Sequence, residues 1–326
     1  MRPAEINVNQ EIKTVLVLDR TKPSDKNAWI TIGEGILTGE GIMADRAAAQ
    51  ELVNSLKNTL QASPRYQVKI AKERLEGNSL TAVFPDPLSQ ELQNNMIRRY
   101  NAHAIVALEI MDTDFIITKG QRKVKKKVTN RENRNEVEKE VNEWYAEGVG
   151  NIKVGIRMYD PIRRELIDQQ LLSRTNTWSA TGESEAEALA ALIDKDEATR
   201  DLCRRLGHDY AFKIAPMPIR LSRSFYTKAK ESSDLERGGR LAEVDNWREA
   251  IDVWKNGIPK ATEEKDRARM AYNIAVAFEV IGDLPQALEW AQKSYADYGS
   301  KDGLAYAKQL QQRMQHEAEV ERQMQK

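Results

Sequence analysis

A single cysteine, Cys203, in 326 residues rules out an internal disulfide and any cysteine-built metal site. The three histidines, His103, His208 and His316, are dispersed along the chain and give no metal-ligand spacing. No metal and no cofactor is therefore expected. Charge of one sign is also lacking: 50 basic residues face 50 acidic ones, so there is no global attraction to nucleic acid or an anionic membrane, and any electrostatic function must be local. No apolar run approaches the ~20 residues that span a bilayer. Met1-Arg2-Pro3-Ala4-Glu5 lacks the apolar core of a signal peptide, which leaves a cytoplasmic protein or one whose leader has been removed. Nucleophile-elbow and HExxH patterns are missing. The glycine-rich Gly33-Glu34-Gly35-Ile36 and Gly39-Glu40-Gly41-Ile42 have neither P-loop nor dinucleotide spacing and read as a flexible connection. An enzyme is not expected.

What is present is regular apolar spacing. Ile12 to Leu18 reads as a strand buried on both faces, and Ala48, Leu52, Leu56 and Leu60 mark a helix closed by Pro64. A second strand over 66–71 follows, then a helix carrying Leu88, Leu92, Met96 and Tyr100, which runs into a third strand at Ala104–Ile110. That strand continues over 112–129 and returns over 136–159, where Ile152, Val154, Ile156 and Met158 alternate with Lys153, Gly155 and Arg157. A turn at Asp160–Arg164 leads to a strand over 166–178. Ser184 with Glu187 forms a capping box that opens one long helix, ended by Pro216 and Pro218, and 219–226 is expected as an edge strand. Residues 1–226 thus read as a mixed α/β domain, two-layer or three-layer, and residues 227–326 as all-helical, with the polar stretch 228–239 at the boundary.

Within 245–298 the pattern Asn246-Trp247-Arg248-Glu249-Ala250-Ile251 returns 37 residues later as Asp283-Leu284-Pro285-Gln286-Ala287-Leu288. Asp245 then aligns with Gly282 and Trp247 with Leu284. Ala271-Tyr272-Asn273-Ile274-Ala275, Phe278, Gly282-Asp283, Ala287 and Ala291 resemble the packing residues of the tetratricopeptide family, whose repeat is 34 residues; the helix over 302–314 is expected to cap the stack. The resemblance implies a concave groove lined by the first helix of each hairpin. By that register Arg269, Tyr272, Asn273 and Val276 face it as a site for a protein or peptide partner.

Lys119 to Lys127 is the concentrated charge of the chain, with Arg131 and Arg134 nearby. Lys123, Lys125, Lys126 and Lys127 are candidates for an anion-binding hairpin. The cluster has no aromatic residue on which a base would stack, so nucleic acid is not expected. Glu136, Glu138 and Glu140 on the return strand favour a solvated hairpin neutralised across the ladder.

Lys13–Leu18, the junction Tyr100-Asn101-Ala102-His103-Ala104-Ile105-Val106, and Ile152–Asp160 leading to Glu165-Leu166-Ile167 resemble the α/β domain of bacterial envelope lipoproteins, namely the curli-secretion lipoproteins and the outer-membrane activators of penicillin-binding proteins. The resemblance implies an outer-membrane lipoprotein facing the periplasm, held to the membrane only through a lipid anchor ahead of Arg2. Pore formation is not implied, since Val124-Lys125-Lys126-Lys127-Val128 would put lysine into lipid. The expected function is a non-enzymatic adaptor or scaffold. The alternative is a cytoplasmic α/β enzyme or small-ligand receptor with a helical appendage.

Overall fold

Strand β1, Thr14–Asp19, is buried on both faces, so its alternate residues feed two separate cores. Val15 and Val17 join Ala48, Leu52, Leu56 and Leu60, while Leu16 and Leu18 join Leu88, Met96 and Tyr159. The computed structural model describes residues 1–23, 39–77, 83–129 and 136–325. After β1 come the short β2 (Lys22–Pro23), α1 (Gly39–Leu60), β3 (Gln67–Ile70), the short β4 (Glu76–Gly77) and α2 (Gln90–Tyr100). Then follow β5 (Ala104–Thr129), β6 (Glu136–Asp160), β7 (Glu165–Gly182), α3 (Glu185–Ala191) and α4 (Lys195–Ile214). The sheet order is β3-β1-β5-β6-β7, with β1 parallel to both neighbours and β5, β6 and β7 an antiparallel meander. Helices α1 and α4 cover one face and α2 the other, which makes the unit three-layered. Each buried leucine of the α1 stripe contributes on the order of 2 kcal/mol.

Opposite β6, β5 slips by one residue between Leu108 and Ile110, leaving Glu109 as the extra residue of a bulge. Gly155 makes the bulge possible: a Cβ there would stand 2.6 Å from the Ile110 side chain.

Some expectations are corrected. Gly39–Ile42 lies in the first turns of α1 and not in a loop, while Gly33–Ile36 falls outside the described residues. The single helix expected after Ser184 is two helices, because Asp194 starts α4 afresh by accepting the Glu197 N–H at 2.9 Å. Residues 219–226 join no sheet; their backbone meets side chains of the helical unit.

The chain divides into two compact units, Ala4–Met217 and Pro218–Gln325, the second including Met1–Pro3. The second contains α5 (Ser233–Glu243), α6 (Trp247–Gly257), a 3-10 turn (Ile258–Lys260), α7 (Glu264–Val280), α8 (Leu284–Ala296) and α9 (Lys301–Met324). Each helix packs on the next, and α7 also meets α5 and α9. Helix α5 occupies much of the stretch expected as a polar boundary. Its polarity hides a narrow apolar face, where Gly238 lets Trp254 approach so closely that a Cβ would clash with the indole. The Trp254 indole N–H donates to Leu235 C=O at 3.1 Å.

The ends of α5 and α7 are built alike. Asp245 (φ 61°) and Gly282 (φ 89°) both take the left-handed conformation. In each case the following residue closes a six-residue turn: Asn246 N–H to Leu241 C=O and Asp283 N–H to Phe278 C=O, both at 2.9 Å. The residues aligned by the 37-residue register thus occupy equivalent turns.

Candidate functional site

Along one face of α7, polar residues recur at three- and four-residue steps in an otherwise apolar helix. Asp266, Arg269 and Asn273 lie on it, and Glu279 follows six residues beyond Asn273, further round the helix. Each has a partner in one stretch of the same unit, residues 223–232. Arg223 grips Glu279 with both Nε (2.6 Å) and Nη2 (3.0 Å). Asn273 is fully buried; its Oδ1 accepts the Tyr226 N–H at 2.8 Å and its Nδ2 donates to the Tyr226 C=O at 2.7 Å. Arg269 donates to Lys228 C=O at 2.9 Å, and its guanidinium lies 5.0 Å from the Tyr226 ring centre. The Asp266 carboxylate receives the N–H groups of Lys230, Glu231 and Ser232 at 2.9 to 3.1 Å. Ser232 then caps α5 by accepting the Leu235 N–H.

The segment runs antiparallel to α7, and the lengths agree. From Asp266 to Glu279 the helix rises about 20 Å, and from Arg223 to Lys230 an extended chain spans about 23 Å. Apolar anchors sit between the polar clamps. Phe225 packs edge-on against Trp247, ring centres 5.5 Å apart, and Tyr226 edge-on against Tyr272 at 5.4 Å. Val276 is buried in the cluster that Phe225 and Tyr272 pack against. All four residues singled out from the sequence lie on one face of α7. That face is occupied by the protein's own chain, so the expectation that Arg269 and Asn273 stand open is corrected.

Burial pushes the Asp266 carboxyl up, but the three backbone N–H groups and Arg269 outweigh it and hold the group below its ordinary range. Glu279 behaves alike: burial raises it, while Arg223, the Tyr306 hydroxyl (2.6 Å) and Arg313 (2.6 Å) bring it below the usual carboxylate value. Beside the segment lies a cavity of about 450 Å³ lined by Phe225, Tyr226, Tyr272, Asp302 and Tyr306. Tyr226 donates its hydroxyl to Asp302, and burial followed by that bond pushes its phenol up to about 12. Asp266, Glu279 and Arg223 were missed from the sequence, although polar residues at 266, 269, 273 and 279 within a buried helix were a readable signal.

On the β5–β6 ribbon, Lys125 stands directly opposite Glu140 and Lys127 opposite Glu138. Lys126 and Arg122 both pair with Glu143, at 2.8 and 3.1 Å, and these two bonds, Lys126 first, hold its carboxyl below the usual range. Lys123 and Lys125 are exposed. The cluster is thus interleaved with acid on its return strand. Arg131 and Arg134 fall outside the described residues.

A buried ionic centre in the α/β unit had no sequence signal. Glu109 lies on the face of Ile105 and Ala107, where it pairs with Arg157 at 2.7 Å and Arg20 at 3.1 Å and accepts the Tyr159 hydroxyl at 2.7 Å. Burial, then the bond to Glu109, pushes the Tyr159 phenol up to about 12. Arg157 also donates to Pro85 C=O and Arg20 to Asp86 C=O, so the centre pins the stretch leading into α2. On the opposite face, where α1 and α4 pack together, an open cleft of about 790 Å³ is lined by residues of both helices and by Arg174. Its arginines are paired: Arg174 with Asp209, Arg204 with Glu197 and Arg205 with Asp201. Among the described residues no three His, Cys, Asp or Glu side chains are grouped to hold a metal, and no helix is long and apolar enough to cross a membrane.

Fold and site together define a two-unit protein: a three-layer α/β unit, followed by an all-helical unit that clasps an extended segment of its own chain. The chain belongs to the family described as domain of unknown function DUF8603, matched over residues 12–226, and residues 236–317 match the domain of unknown function DUF6340. No curated protein matches the sequence. Among solved structures it has a faint likeness to the PelC dodecamer from Paraburkholderia phytofirmans, at 10% identity and TM-score 0.27, covering 66% of this chain and 97% of that one. Another is a putative neuraminyllactose-binding hemagglutinin homolog from Helicobacter pylori, at 14% identity and TM-score 0.26, covering 63% and 82%. Likenesses at this level carry no argument about function.

Proposed function

We propose that the protein is a non-enzymatic adaptor of the bacterial envelope, whose tetratricopeptide-like helical unit and α/β unit each hold a protein partner. The observation that carries this reading is the grip of Asn273 on both backbone groups of Tyr226. A side-chain amide that brackets one residue's N–H and C=O recognises extended peptide backbone, and reading peptides is the work of a helical groove. The equivalent turns at Asp245 and Gly282, and the order α5 to α9 of successively packed helices, support the tetratricopeptide-like reading. Placement as an outer-membrane lipoprotein facing the periplasm rests on the resemblance of the α/β sequence.

Two measurements test this. Palmitate labelling of the natively expressed protein, followed by fractionation, is expected to put label in the outer membrane; an unlabelled protein in the cytosolic fraction sinks the envelope placement. Crosslinking in cells, with the crosslinked sites mapped on the full chain, is expected to return a reproducible partner on residues 218–325. Crosslinks confined to the chain itself would overturn the adaptor role.

A further inference from the structure

Residues 223–232 contact α7 much as a bound peptide would. Most of the polar contacts are to backbone: the Tyr226 N–H and C=O, the Lys228 C=O, and the N–H groups of Lys230, Glu231 and Ser232. The contacts at Tyr226 and Lys228 would hold any extended chain, and those at Asp266 any chain that bends as Lys230 and Glu231 do to bring three successive N–H groups to one carboxylate. Sequence is read chiefly at Arg223, Phe225 and Tyr226, while the Lys230 side chain pairs with Glu263 at 3.1 Å and the Glu231 carboxylate accepts the Thr262 hydroxyl at 2.8 Å. Glu279 takes the Arg223 guanidinium through both nitrogens, and its 3% exposure means that a chain without a cation there leaves a buried carboxylate short of a partner. Phe225 fills the space beside Trp247, and Tyr226 meets Tyr272 with its hydroxyl on Asp302. The segment is poorly anchored upstream of these contacts, with Ile219 and Leu221 each more than 40% exposed.

We infer that the α7 face is a peptide site holding residues 223–232 as its internal ligand, and that it accepts in trans an extended partner segment of the same chemistry. That segment carries an arginine, aromatic residues two and three positions on, and a run of free backbone N–H groups seven to nine positions on. A partner gains the site only by displacing the internal segment, so the affinity seen from outside is the intrinsic affinity reduced by the fraction of time the site stands open. The inference rests on the adaptor reading and supplies the partner chemistry that reading leaves open.

The test uses the full chain and a fluorescent peptide spanning residues 220–232. Arg223→Glu with Tyr226→Gly frees the internal segment by putting like charges at Glu279 and removing the ring. The freed chain is expected to bind the peptide saturably, and the unaltered chain at least about tenfold more weakly. Adding Asn273→Ala to the freed chain is expected to weaken binding about tenfold or more, because two hydrogen bonds to backbone are lost. Circular dichroism establishes that the freed chain is folded. No binding by a folded, freed chain overturns the inference. Hydrogen exchange on the unaltered protein decides independently, even where the variant fails to fold. The amides of Tyr226, Lys230, Glu231 and Ser232 are expected to exchange through a local opening, well before those of the α7 core. Exchange only with global unfolding would make the segment a permanent part of the unit and overturn the inference. Peptide binding without any envelope partner would sink the adaptor reading alone, so the two failures are distinguishable.

Discussion

Asn273 holds Tyr226, 47 residues earlier in the chain, by its backbone N–H and C=O, at 2.8 and 2.7 Å. The amide is wholly buried, so neither of its bonds competes with solvent. Asn273→Ala removes both bonds and strands a backbone N–H and C=O. The expected loss of stability in the helical unit is about 2 to 3 kcal/mol, read by urea unfolding followed through tryptophan fluorescence. A change under about 0.5 kcal/mol would show that the contact is replaceable.

The acid side of the stability curve follows from Asp266 and Glu279. Their carboxyls are held below their ordinary values of 3.8 and 4.5 in the folded protein. The stabilisation they give is therefore complete above those values and is lost as pH falls through the lower, folded ones. The double variant Asp266→Asn, Glu279→Gln is expected to be less stable at neutral pH, with the gap to the unaltered protein narrowing in acid. Unfolding titrations at a series of pH values measure the gap, and one that widens on acidification contradicts the assignment.

At the α5–α6 turn a non-glycine residue sits where the equivalent α7–α8 turn has glycine. Asp245 has φ 61°, a conformation that costs an L-residue about 1 kcal/mol. Asp245→Gly is expected to raise the stability of the helical unit by roughly 0.5 kcal/mol, the relief being partly offset by the greater freedom of glycine in the unfolded chain. Gly282→Asp is expected to lower it. A paired denaturation experiment reads both, and equal signs would refute the equivalence of the turns.

In the α/β unit Glu109 balances two guanidinium groups in the interior. Glu109→Gln leaves Arg157 and Arg20 without a buried counter-charge, and the expected cost is about 3 to 5 kcal/mol. Arg157→Met in the same chain is expected to recover part of that loss, since it removes a now unpaired charge. A double-mutant cycle in urea measures the coupling, and additive effects would show that the residues act separately.

The sequence by itself determined the elements whose signal is local. The branched run Ile12–Leu18 read as a strand buried on both faces. The four-residue steps from Ala48 to Leu60 could only be a helix with one apolar stripe, and the alternation after Ile152 marked the return strand of the ribbon. It also set Asp245 over Gly282, and their shared left-handed turn shows why: each closes its helix with one residue of positive φ.

What only the tertiary structure decided depends on residues distant in the chain. That Arg269, Tyr272, Asn273 and Val276 share one face of a helix was legible, because helical periodicity fixes which residues share a face. That this face would be filled from within was not, because no local pattern links Asn273 to Tyr226, or Glu279 to Arg223, 56 residues away. The Glu109 centre was hidden for a similar reason: no local pattern links Glu109 to Arg20 or Arg157, 89 and 48 residues away. Local sequence fixes backbone conformation and faces; which surfaces then meet is settled by burying apolar area while every buried polar group keeps a partner.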